Sequence, residues 1–450
     1  MTAPDDAEPG SHASSVLDRE AAARADASAA ALGRYRHRMR RRRAIYYPVV
    51  GAIVLALVIA FTVAYLHGEV HNVRLVTVSD PPASLAVQTP SADQQQVWHT
   101  SDRAALGDPS YGGTVVVWGG RTVRGVNART GRQTWSYYRS DRTVCTAAQI
   151  DGIAVAVYEL AGNCDELTAL DAATGRRVWT RTLDSNGQTL NGVPTFQADV
   201  ADRALMMTTP DVIYSVEVGK DQFGDGEDHF SYSHFGCRIN GAVLGSQGAL
   251  ISQTCAHPRC GSGDSRLKFC GAGPQLLLRG DPDEDEDSSN DTNPNRISWN
   301  DLGDTDVPVS GGEVLAAGNR TTGELDLLGG TKGRPAGSLD LGVAGSVWTA
   351  GTSSIDVGNG GVLVTAGGRT ALVRSGRAKP VWTSASGGPP TVSKDVVVVP
   401  GAAGARLVDR ATGARRHAYP LRPAVPRGAT LYRLGSGFLA ASTSGTTAYS

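Results

Sequence analysis

The stretch LTALDAATGRRVW, Leu167 to Trp179, decides how the chain reads. Its residues alternate up to Asp171 as a strand does, so one face can pack while the other looks away. Asp171 and Thr174 can fold their side-chain oxygens back onto nearby N–H groups, and Gly175 can take the positive φ of a tight return. A second strand then resumes with Val178 and Trp179, whose indole is large enough to wedge between one sheet and the next. The same frame recurs as VRGVNARTGRQTW, Val123 to Trp135, with Asn127, Thr130 and Gly131 at the turn. It recurs again as ARLVDRATGARRH, Ala405 to His417, with Asp409, Thr412 and Gly413.

Working outward from these copies, the aromatic or equivalent position of each closing strand falls at Trp98, Trp135, Trp179, Phe230, Trp299, Leu339, Trp382 and His417. Most steps are about forty residues, the length of one four-stranded blade. The long step, Phe230 to Trp299, contains CAHPRCGSGDSRLKFC and DPDEDEDSSNDTNPN, both of loop composition. The fifth unit, LDLLGGTKGRPAGSLDL, and the sixth, RSGRAKPVW, are the weakest copies. In a chain of 450 residues with 55 Gly and few aromatics, this pattern predicts an all-β fold, an eight-bladed β-propeller over 94–450.

A ring needs its ends joined, or two sheet edges stay open. The C-terminal ATLYRLGSGFLAASTSGTTAYS supplies three short strands and then stops. QQVWHTS, Gln95 to Ser101, has no blade of its own, and its VWHT matches VWTR at Val178 and VWTS at Val381. The leftover strand predicts closure by 94–101 pairing with the C-terminal blade, with Gln95 to Thr100 outermost and Trp98 packed like the other indoles. Val347-Trp348 carries the same dipeptide outside the ruler.

Ahead of the repeats lie three shorter regions. Residues 1–44 read as a disordered cytoplasmic tail ending in Arg34, Arg36, Arg38 and Arg40 to Arg43. Ile45 to Leu66 carries no charge and would span roughly 33 Å as a helix, which predicts a single membrane anchor over 45–66. The arginines before it keep the N-terminus in the cytoplasm and place the rest outside the cell membrane. Residues 67–93, with PPASLAVQTPSADQQQ, read as an extracytoplasmic stalk.

All six cysteines, Cys145, Cys164, Cys237, Cys255, Cys260 and Cys270, follow the anchor, where disulfides persist. Like spacing in the repeat predicts Cys145 with Cys164, Cys237 with Cys255 and, by elimination, Cys260 with Cys270. The alternative joins Cys255 to Cys260 and Cys237 to Cys270. Nothing has the spacing of a zinc ribbon.

The frame LTALDAATGRRVW, with its NARTG and DRATG relatives, resembles the repeat of the PQQ-like β-propellers. The anchor and cysteines resemble those of membrane-anchored propellers of actinobacterial envelopes. The resemblance covers roughly Gln94 to Ser450 and is strongest in blades one, two and seven. Quinoprotein dehydrogenases of the family carry two adjacent cysteines beside the quinone, a calcium and an aspartate base. Here there is no Cys-Cys dipeptide, and Asp171 and Asp409 already have a turn to form. No cofactor and no metal site is therefore expected.

Other motifs yield no chemistry either. HGEVH, His67 to His71, is not a zinc-protease signature. DPDEDEDSSND, Asp281 to Asp291, puts Glu286 and Thr292 where an EF-hand needs glycine and a carboxylate, and DQFGDGED, Asp221 to Asp228, fails the same test. No basic patch beyond the anchor points to nucleic acid. The expected function is a membrane-anchored, extracytoplasmic scaffold for cell-envelope proteins. The alternative is a small-molecule binder or sensor, with a PQQ-dependent oxidoreductase more remote.

Overall fold

The computed structural model describes residues 24, 47–62, 69–160, 162–183, 194–200, 203–219, 228–232, 237–245, 248–256, 273–279, 296–299, 306–329, 334–349 and 352–450. They fall in two compact units, Met1–Asn72 and Val73–Ser450. In the first, residues 47–62 are helical and exposed on every side, from Tyr47 to Phe61. At about 1.5 Å per residue this helix covers ~24 Å, against about 30 Å of hydrocarbon. Among the described residues no helix is long and apolar enough to cross a membrane. The span expected over 45–66 runs past the described helix at both ends, with 45, 46 and 63–66 outside the described residues.

The second unit is all-β, and its repeating element is an antiparallel meander of four strands. One copy shows why the sequence folds this way: Val144–Ile150, Ile153–Leu160, Asn163–Asp171 and Arg177–Thr182. Alternation sends Val155, Val157, Leu167 and Ala169 to one face, where they pack on Leu205 and Met207 of the next sheet. It sends Ala154, Ala156 and Leu170 to the other, against Val116 and Trp135 of the preceding sheet. A sheet buried on both faces needs apolar residues at successive positions, and this one has them.

The sheet before it contains Thr114–Gly119, Thr122–Asn127 and Gln133–Arg139, with Arg103–Ala104 alongside. Later meanders begin at Thr195–Asp199, Cys237–Gly245, Asp306–Gly311, Ser353–Gly358, Thr391–Ser393 and Thr430–Leu434. The last two are joined through Gln94–Thr100. Gln94 and Gln95 run parallel to Leu421 and Arg422, and Gln96 to Thr100 then pair antiparallel with Tyr449 to Thr446. That strand is the outermost of the final meander. Apolar clusters occupy each junction between successive sheets. A further cluster joins Trp98, Leu439 and Ala448 of the final sheet to Val115, Val117 and Val126 of the first.

The repeated turn is the receptor for the indole of the preceding sheet. Asp171 Oδ1 accepts from the N–H groups of Ala173 (3.1 Å) and Thr174 (2.8 Å), while Gly175 sits at φ +74°. Trp135 lies against that glycine and donates from Nε1 to the Ala172 carbonyl, 2.9 Å away. Trp98 does the same to Ala128 at 3.0 Å over Gly131, and Trp382 to Arg410 at 3.0 Å over Gly413. In each case the acceptor is the residue after the turn's Asn or Asp. Trp179 reaches the Gly219 carbonyl at a longer 3.5 Å.

Two expectations are corrected here. The stalk does not extend to residue 93: Val73–Val76 adds a strand to the outer edge of the first sheet, with Val73 opposite Arg139 and Val76 opposite Ser136. Val78 N–H then bonds to the Thr174 carbonyl and Gln88 N–H to the Gly435 carbonyl, so the segment is tied to two of the sheets. The fifth unit is not simply a degraded copy. Asn319, Thr322 and Gly323 form the same turn, Asn319 Oδ1 accepting from Thr321 and Thr322 N–H, but one hairpin earlier, between Leu315–Asn319 and Leu325–Gly329. Its indole is Trp348, fully buried against Gly318 and outside the repeat ruler.

Candidate functional site

Adjacent antiparallel strands reverse direction, so the first-to-second and third-to-fourth strand turns of every sheet emerge on one face. The turns at Asn127, Asp171 and Asp409 are there, as is the segment running from Val78 to Gln88. The innermost strands surround a cavity of about 980 Å³, walled by hydroxyls such as Thr195, Ser310, Ser353, Thr391 and Thr430.

At the mouth on the turn face the wall changes character. Asp199 and Val200 end the innermost strand of the third sheet, and Gly107 of the second approaches Val200 so closely that a Cβ there would touch it. Asp108 accepts from Ser110 N–H (3.2 Å) and Oγ (3.1 Å). Although Asp108 meets solvent, the surrounding wall desolvates its carboxyl and raises its pKa, against the pull of the Ser110 bonds. Asp356 accepts from Glu313 N–H (3.2 Å) and Gly358 N–H (2.8 Å). Arg433 lies 5.7 Å from the Phe438 ring centroid and donates to the Gln88 carbonyl. Leu85 packs beside Gly435, and Ser84, Leu85 and Val87 line this mouth.

A second polar cluster lies between the first and second sheets. The fully buried Arg139 donates from Nη1 to Glu166 Oε1 (2.6 Å) and through Nε and Nη2 to both oxygens of Asp141 (3.0 Å each). Arg142 pairs with the same two carboxylates. The Arg139 bond is the main reason that the Asp141 pKa falls to about 2. Nearby, Cys145 is bonded to Cys164; Cys237 is bonded to Cys255, directly opposite it on the adjacent strand. Both disulfides lie toward the ends of their strands away from the turn face.

The sequence-predicted residues are thus spread around the sheets rather than gathered at the cavity. Asn127, Asp171 and Asp409, with Thr130, Thr174, Thr412 and the three turn glycines, build turns. Trp98, Trp135, Trp179 and Trp382 fill junctions. Trp299 ends the strand Arg296–Trp299, its side chain outside the described residues, as are Cys260, Cys270, 221–227 and 281–291. No rim residue was singled out by the sequence reading. Single carboxylates at strand ends look like any turn residue until the strands are arranged around a common space.

The described wall of this cavity does not suit the carboxylates of a quinone cofactor. They would meet Asp108, Asp199 and Asp356, while the Arg433 guanidinium is already engaged. The observed disulfides join cysteines 19 and 18 residues apart, not neighbours. Among the described residues no three His, Cys, Asp or Glu side chains are grouped to hold a metal.

Residues 66–218 match the family described as outer membrane protein assembly factor BamB. Over these residues, about a third of the chain, the sequence is similar to that family's repeats. Similar solved structures include the computationally designed Ika8 protein, at 12% identity and TM-score 0.46, covering 80% of this chain and 99% of that one. BamB from Moraxella catarrhalis is similar at 13% identity and TM-score 0.34, with 84% and 97% covered. Quinohemoprotein alcohol dehydrogenase from Comamonas testosteroni is similar at 13% identity and TM-score 0.46, with 81% and 76% covered. No curated protein matches the chain.

Proposed function

We propose that the chain is a non-enzymatic, closed eight-bladed propeller, anchored by its N-terminal apolar segment and displayed outside the cell membrane as a scaffold for envelope proteins. The observation carrying the scaffold reading is the match of residues 66–218 to a family described as an assembly factor. Closure is supported by the pairing of Gln96–Thr100 with the C-terminal strand and by the apolar cluster shared by the final and first sheets. The anchor is supported by the apolar, outwardly exposed helix over 47–62, and the outside location by two disulfides.

The test is crosslinking of the full chain in native membranes, followed by affinity capture. A scaffold recovers one or more envelope proteins in stoichiometric amount; recovery of the chain alone overturns the reading. A second reading, a small-molecule binder, is favoured by the hydroxyl-walled cavity of about 980 Å³. Thermal-shift screening that raised the melting temperature in proportion to ligand concentration would favour it.

A further inference from the structure

The stretch between the added strand Val73–Val76 and the closing strand Gln94–Thr100 crosses the turn face over the seam where the final sheet meets the first. It starts at the second sheet, where Val78 N–H bonds to the Thr174 carbonyl at 3.0 Å. It next passes the turn between Tyr111 and Thr114 of the first sheet. There a Cβ on Gly113, which sits at φ +74°, would collide with the carbonyls of Ala83 and Pro82. It then reaches the hairpin of the final sheet between Leu434 and Gly437, where Gln88 N–H bonds to the Gly435 carbonyl at 2.9 Å and Arg433 donates to the Gln88 carbonyl. Between these attachments, Leu85 packs on the apolar cluster that Trp98, Leu439 and Ala448 of the final sheet form with Val115, Val117 and Val126 of the first. From Ser79 to Val87, no backbone group is hydrogen-bonded to the sheets among the described residues. The strap is thus pinned near its two ends and held between them by packing.

We propose that residues 77–88 are a latch on the ring seam: seated, they hold the first and final sheets together, and lifted, they let that seam loosen ahead of the other junctions. The proposal rests on the closed ring of the reading above and goes beyond it by naming the segment that controls the closure. Lifting Ser79–Val87 breaks no backbone hydrogen bond to the sheets, so it requires only that Leu85 leave its cluster and Gln88 release Gly435. Segments of this kind open locally at a small fraction of the cost of global unfolding. Departure of Leu85 uncovers the shared cluster on the turn face. Ser84, Leu85 and Val87 also line the cavity, so the same movement widens its mouth.

The test is hydrogen exchange, followed by mass spectrometry, on the full chain in zwitterionic nanodiscs. Leu85→Ser removes the packing. The pair Leu85→Cys/Gly435→Cys places two Cβ atoms 3.6 Å apart, a separation that suits a disulfide fixing the latch in place. Peptides covering 96–100 and 446–449 report the seam, and peptides covering 153–157 and 362–364 report junctions away from it. Leu85→Ser is expected to speed seam exchange at least about fivefold and the bridged pair to slow it at least about threefold, with the other junctions within about twofold of wild type. Equal acceleration at every junction, or seam exchange unchanged in either variant, overturns the latch. If the seam peptides of the wild type exchange as fast as an unstructured chain, the closed ring fails and the latch with it. Seam peptides that are protected but indifferent to the variants leave the ring standing and remove only the latch.

Discussion

The second and fifth sheets solve the same packing problem from different sequences. In the second, the frame is intact: Asp171 shapes the turn, Gly175 clears space, and Trp135 of the preceding sheet lies on it with its N–H on Ala172. In the fifth, the turn at Asn319 comes one hairpin early, and the indole is Trp348, from the stretch that follows the sheet. Both indoles are wholly buried. The requirement is therefore a large ring against a glycine at the junction, and the position of that ring in the chain is free to move.

The indoles give the sharpest way to break the comparison. Trp135→Ala and Trp348→Ala are each expected to lower stability by about 3–5 kcal/mol, read from urea unfolding midpoints. A Trp348 loss below about 1 kcal/mol would show that it is not the equivalent of Trp135. Trp98→Ala at the final-to-first junction belongs in the same range, and an unchanged melting temperature would remove it from the set.

The second sheet also has a buried ion network for which the described part of the fifth shows no counterpart of similar depth. Arg139→Ala leaves the buried Glu166 with Arg142 as its remaining partner and should cost about 3 kcal/mol, whereas replacing Arg139 and Glu166 together by apolar residues of similar size should cost less. A double-mutant cycle that returned no coupling would refute that account. Removing the Cys145–Cys164 bridge with paired serines should lower stability by about 3 kcal/mol. If reducing agent leaves the wild-type midpoint in place, the bridge contributes little.

Smaller effects separate the glycines. Gly175→Ala puts a Cβ into the Trp135 ring at positive φ and should cost at least about 1–2 kcal/mol. Gly337 in the fifth sheet has open space around its Cβ position, and Gly337→Ala should lie within about 0.5 kcal/mol of wild type. Calorimetric melting temperatures would reverse this expectation if the two ranked the other way.

The smallest effect is in pH. Asp141 has a folded pKa of about 2, below its usual value near 3.9 in the unfolded chain. Its contribution is complete above about pH 4 and is lost as the pH falls through about 2. Asp141→Asn should therefore be less stable than wild type at neutral pH, with the gap closing in that acid window. A constant gap down to pH 2 would assign the shift elsewhere.

Local alternation and turn chemistry made the strands and the three strong turns legible, because both depend on neighbours in sequence. Gln94–Thr100 was readable as a leftover strand for the same reason. Trp348 was not, since its role depends on Gly318 in another strand and the frame around it is displaced. The segment 73–93 looked like a linker because proline and small residues dominate it. Its hydrogen bonds go to Thr174 and Gly435, which no local pattern reveals. Arg139 and the rim carboxylates were equally silent: their partners or neighbours come from different sheets.

The closing strand also sets an order of events. His99 and Thr447 meet across 348 positions of chain, so the residues that complete the final sheet are made long before the strand they pair with. During vectorial synthesis Trp98 can meet Ala128 and Val115 early, but the edge of Gln96–Thr100 waits without a partner until Thr446–Tyr449 has been made. A chain lacking Gly445–Tyr449 would keep Gln96–Thr100 as an open sheet edge, so the strand made last is the one that covers a strand made among the first.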